Sequence, residues 1–167
     1  IDLYSRFKKE GYSVGWIGSR KEAVLCGGES IPEWLYGTQL SFKDKIVYFN
    51  HYVKEYIEKN KNEVLIIGIP GEVCINDNYF IGHAGELATI ISQAVNASAT
   101  IVCMMFDENI EKKTKIWGNY IEGKLGVQIK CFAITNRLYD YNESDVVRKI
   151  KYTTLNNQTI QKMAKIF

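Results

Sequence analysis

The chain has 167 residues, 46% of them hydrophobic, with only two prolines and a formal net charge of +2 from 21 basic and 19 acidic side chains. That composition supports one sizeable core and reads as a single α/β domain over residues 1–167. The near-balanced charge argues against a nucleic-acid or anionic-membrane partner, and no apolar run approaches the roughly 20 residues of a membrane-spanning helix.

Ile1 to Glu10 reads as helix, with Leu3 and Phe7 four apart ahead of Gly11. The chain therefore reads as a fragment that begins inside an element, with a first strand and its loop expected upstream of Ile1. Tyr12 to Ile17 reads as a strand ended by the turn residues Gly18, Ser19 and Arg20. From Lys21 to Leu40 periodicity is lost, but Ile31, Trp34, Leu35 and Tyr36 supply enough apolar surface for an ordered loop.

Ser41 suits the N-cap of a helix from Phe42 to Lys59, whose expected buried stripe is Phe42, Ile46, Phe49, Val53 and Ile57. Val64 to Ile69 is a continuous apolar run, the pattern of a central strand covered on both faces. After a loop over 70–82, a helix is expected near His83 to Val95, burying Leu87, Ile90, Ile91, Ala94 and Val95. A second buried strand follows from Ala99 to Phe106, then a helix from Asn109 to Lys124 carrying Ile110, Trp117 and Ile121. Val127 to Ile134 alternates with Gln128 and Lys130, as a strand nearer an edge does. Arg137 to Asp145 is polar and tyrosine-rich, Tyr152 to Leu155 reads as a short extended piece, and Asn156 to Phe167 as a closing helix.

Strands separated by helices of this length predict parallel crossovers and a three-layer, doubly wound, mostly parallel sheet, Rossmann-like or P-loop-like. In such folds ligands sit beyond the carboxyl ends of the strands. The ligand-binding candidates are accordingly Gly18, Ser19, Arg20, Gly68, Pro70, Gly71 and Glu72. Arg20 has the planar fork that clamps a carboxylate or phosphate, or equally a salt bridge to a neighbouring loop. Glu72 suits a metal-bound water or a phosphate-bound magnesium, while the plainer reading is a rigid turn with Gly71 at positive φ and Glu72 solvated.

Neither G-x-x-x-x-G-K-[ST] nor G-x-G-x-x-G occurs, so no complete phosphate-binding motif is present. The four cysteines, Cys26, Cys74, Cys103 and Cys131, are widely spaced with no Cys-x-x-Cys pair, as expected of reduced thiols in the cytoplasm. Cys26, Cys74 and His83, with Asp77 or Glu72, have the chemistry of a zinc site without its spacing, so two independent loop cysteines are the expectation and no metal site is assigned. For nucleophilic catalysis His83 or His51 would have to activate Cys26 or Cys74. His51 reads as a partly buried structural histidine, and His83 stands at a helix start, where the dipole disfavours protonation. No catalytic residue and no cofactor can be named. The aromatic segments Trp34 to Tyr36 and Tyr139 to Tyr141 suit either a peptide or protein contact or a lid over the core.

Gly11-Tyr-Ser-Val-Gly-Trp-Ile-Gly-Ser-Arg20, Phe49-Asn50-His51, Ile66-Ile-Gly-Ile-Pro-Gly71, Ser92-Gln-Ala-Val95 and Tyr152-Thr-Thr154 together resemble a family of accessory proteins of ribosomal peptide maturation, encoded beside radical-SAM enzymes that modify bacteriocin-like peptides. The resemblance runs through nearly the whole chain. It implies a precursor peptide, a radical-SAM maturase or a small ligand as partner; a homodimer is a separate expectation that does not come from the resemblance. It also implies an upstream glycine-containing loop similar to a degenerate phosphate loop, with Ile66 to Glu72 as the second phosphate-proximal strand and Ser19-Arg20 facing the same pocket. Glu72 stands where that pattern has a further glycine. Two other functions stay open at this point: an enzyme or nucleotide-dependent switch using the upstream loop, and a structural dimerisation domain.

Overall fold

The computed structural model describes residues 2–19, 22–73, 85–107, 109–140, 142, 144, 151–156 and 158. It is a mixed α/β structure with two parallel sheets. The described residues fall into two compact units, one running to Val73 and taking in Gly85–Asn96, the other starting at Ala97. No described helix is long and apolar enough to cross a membrane.

In the first unit the elements are α1 (Asp2–Lys9), β1 (Val14–Gly18), α2 (Glu22–Leu25), β2 (Glu29–Ser30), a 3-10 turn (Glu33–Leu35), α3 (Phe42–Asn60), β3 (Val64–Ile67) and α4 (Glu86–Ala94). The sheet order is β2-β1-β3, parallel throughout, with Ile17 opposite both Glu29 and Ile67. Parallel neighbours need a crossover, and α3 supplies the one between β1 and β3. Both ends of Ser13 hold the register: its N–H donates to Glu63 Oε2 at 2.8 Å, and its carbonyl accepts from Glu63 N–H at 2.8 Å. Among the described residues β1, not β3, has a neighbour on each side.

Successive strand side chains point to opposite faces, so Trp16 and Ile17 report on the two sides of the sheet. Trp16 meets Tyr4 of α1 with ring centroids 5.8 Å apart. Ile17, fully buried, joins Phe49, Val53 and Tyr56 of α3 and Leu87, Ile90, Ile91 and Ala94 of α4 in the main core. Helical residues therefore meet both faces of this sheet. In α1 the buried residue is Tyr4 rather than Leu3, and Phe7 packs edge-on against Tyr12.

Ser41 caps α3, accepting from Asp44 N–H at 3.2 Å and donating its hydroxyl to Asp44 Oδ2 at 2.6 Å. Ser41→Ala is expected to lower stability by about 1 kcal/mol, the usual worth of such a cap, in a chemical denaturation series. The buried stripe of α3 is Lys45, Phe49, Val53 and Tyr56, whereas Phe42 and Ile57 of the predicted stripe are exposed. Lys45 is buried because its methylene stem covers apolar surface while its ammonium reaches Glu86 Oε1 of α4 at 2.9 Å. A second tie between these helices runs from Asn50 Nδ2 to the Ala94 carbonyl at 2.7 Å.

The second unit contains β4 (Thr100–Met105), α5 (Ile110–Leu125), β5 (Ile129–Thr135), β6 (Arg137–Tyr139) and β7 (Tyr152–Thr154). β4 and β5 are parallel, and β6, within the polar tyrosine-rich stretch, pairs antiparallel with β7, which falls on the short extended piece expected at Tyr152 to Leu155. α5 lies against β5, where the Phe132 ring faces Gly118. The other side of the β4–β5 ladder exposes Ile101, Cys103, Cys131 and Ala133. The apolar run in β4 therefore does not mark burial on both faces.

The turn into α5 is built by Asp107, a residue the sequence reading passes over. Its Oδ1 accepts from Asn109 N–H at 2.9 Å, its carbonyl accepts from Ile110 N–H at 3.1 Å, and its Oδ2 pairs with Lys113 Nζ. Burial raises the Asp107 carboxyl pKa, but the Lys113 hydrogen bond, the Asn109 N–H and the Lys113 charge outweigh it, and the net shift is downward. A carboxyl lowered by folding contributes stability above its unfolded pKa, about 3.9, and that contribution is lost as pH falls through the folded value. Lys113→Met should move the Asp107 titration, followed by carboxyl-carbon NMR, up towards the ordinary range. An unmoved titration would mean that Lys113 is not what holds the carboxylate down.

Candidate functional site

Because β1, β2 and β3 run the same way in near-level register, the segments that leave their carboxyl ends emerge at one edge. Ile17 opposite Ile67 puts Gly18 beside Gly68, whose N–H donates to the Ile17 carbonyl at 2.8 Å. Gly18 also pairs with Ser30 of β2 and accepts from Ile31 N–H at 2.8 Å. This rim gathers Gly18, Ser19, Ser30 and Gly68, with Pro70, Gly71 and Glu72 continuing from β3. Ser19 and Gly71 are exposed, and Gly68, Pro70 and Glu72 are half-buried.

Two rim glycines answer to local geometry. A Cβ on Gly18 would stand 2.8 Å from the Ala23 Cβ and 3.2 Å from the Trp16 indole nitrogen, so glycine lets α2 close over the strand end. Gly71 has φ +89°, the backbone expected of it in a rigid turn, and among the described residues nothing lies within 4 Å of where a Cβ would stand.

Arg20 lies outside the described residues, as do Cys74, Asp77, His83 and Tyr141. Cys26 is an exposed thiol on the turn after α2. No group of three or more His, Cys, Asp and Glu side chains that could hold a metal is present among the described residues. His51 is exposed on α3, not partly buried, because the core-facing strip of that helix passes through Phe49 and Val53.

Ser30 was not legible as a rim residue, since a two-residue strand leaves no periodicity to read. A second surface also escaped the sequence reading. Trp34 of the 3-10 turn and Tyr48, His51, Tyr52 and Glu55 of α3 line an open groove of about 430 Å³. The four α3 residues are spaced i, i+3, i+4, i+7, which places them on one strip of the helix. Trp34 and Tyr48 stand edge to face, with centroids 6.2 Å apart and planes at 86°. The Tyr52 hydroxyl donates to Glu29 Oε2 at 2.8 Å. Burial, then the hydrogen bond to Glu29 and its charge, then Tyr56, hold the Tyr52 pKa far above its ordinary value, so the phenol stays protonated as that donor.

Comparison with protein-family models, curated proteins and solved structures found no match to this chain.

Proposed function

We propose that the chain is a binding domain acting in the cytoplasm in the maturation of a ribosomally made, bacteriocin-like peptide, and that it holds a precursor peptide, the radical-SAM maturase or a small ligand at the rim formed by Gly18, Ser19, Gly68, Pro70, Gly71 and Glu72. The observation that carries the site is the parallel pairing of β1 with β3, which brings two glycine-bearing turns to one edge. Open glycine backbone at a strand end lets a ligand approach main-chain N–H and C=O groups closely. In this reading the frame is the three-layer doubly wound one, and the rim is the place where such folds bind ligands. The link to peptide maturation rests on the residue pattern that resembles the accessory family.

The test is co-purification of tagged chain with the precursor peptide and with the maturase encoded beside it, each expressed separately. Retention of either partner by the unaltered chain, weakened by Gly71→Val, is the expected result. A chain that retains neither is not a maturation accessory.

A further inference from the structure

We propose that the α3 groove lined by Trp34, Tyr48, His51, Tyr52 and Glu55 receives a lysine or arginine side chain from an extended peptide segment. The inference stands on the groove alone and does not need the rim.

Three features match that occupant. Aromatic rings carry negative potential on their faces and attract cations, and Trp34 and Tyr48, packed edge to face, both line the groove. Tyr52 adds a ring made more electron-rich by giving its hydroxyl hydrogen bond to the Glu29 carboxylate. Glu55, exposed on the same strip, supplies a carboxylate for the charged tip, and neither lysine nor arginine lines the groove among the described residues. The aromatic walls and the carboxylate thus match a ligand with an apolar stem and a positive end.

The openness of the groove decides the source of the cation. Free small ligands are normally held in concave pockets that bury most of their surface. The groove lies open along α3, so a side chain can enter it while its main chain runs across the surface.

The experiment titrates isotopically labelled chain with three probes: the peptide acetyl-Gly-Lys-Gly-amide, its norleucine counterpart, which keeps the stem and lacks the charge, and free butylammonium. The expected result is a shift of the Trp34 indole resonance and an affinity for the lysine peptide about fivefold or more above that for norleucine. Glu55→Gln, at an exposed position, should remove most of that preference. Trp34→Phe, which keeps a ring against the core, should weaken both. Equal affinity for lysine and norleucine, or no response to either, overturns the proposal. Butylammonium binding as tightly as the lysine peptide overturns the peptide source in favour of a free amine.

Discussion

Phe49→Ala should lower the stability of the first unit by about 3–5 kcal/mol, the range for removing a buried phenylalanine from a packed core. Phe49 is fully buried, packs with Trp34 and Tyr52 at centroid distances of 6.5 and 5.8 Å, and belongs to the cluster that joins α3 and α4 to Ile17 of the sheet. The cavity would open where β1, α3 and α4 meet, and the surrounding main chain, fixed by the β1–β3 ladder, has little room to collapse into it. Equilibrium urea unfolding followed by tryptophan fluorescence checks this, with an unchanged denaturant slope expected. A loss under about 1 kcal/mol would mean that this cluster is not the organising core.

Gly18→Ala should be the most damaging methyl addition at the rim, costing about 1–3 kcal/mol as overpacking does. The contact it would make is with the Ala23 Cβ, at 2.8 Å, and that atom has no rotamer by which to move aside. α2 must then lift from the strand end, taking with it the turn in which Gly28 N–H donates to the Ala23 carbonyl at 2.9 Å. Ala23→Gly combined with Gly18→Ala should restore part of the loss, because the crowding is between those two Cβ positions. An additive double variant, with no recovery, would contradict this account of the glycine.

The parts of the fold that the sequence discloses are those where local chemistry and tertiary packing agree. Ser41 ahead of an amphipathic run is a cap in both, and the apolar runs at Val14, Val64 and Thr100 become parallel strands because helices of crossover length follow them. Lys45 breaks that agreement. A lysine reads as solvated face, yet its pairing with Glu86 lets it occupy the buried strip, and the apolar stripe is correspondingly displaced from Phe42 and Ile57. The β2 and β6 strands fail for another reason: two or three residues carry no period, and only pairing with β1, or with the β7 segment that does read as extended, turns them into strands.

The rim is legible as a rule about strand ends, which points to Gly18 and Gly68, whereas Ser30 arrives through a pairing no local pattern announces. The groove is half legible. Tyr48, His51, Tyr52 and Glu55 share a helical strip that periodicity can find, but Trp34 reaches it from a segment without regular spacing.

The most direct test of the rim as a binding surface is a chemical-shift map of labelled chain titrated with the precursor peptide and, separately, with the maturase. The account predicts that the largest perturbations with at least one partner fall on Gly18, Ser19, Gly68 and Gly71. Perturbations confined to Trp34, Tyr48 and Tyr52, or to the exposed Ile101 and Cys103 side of the β4–β5 ladder, would contradict it.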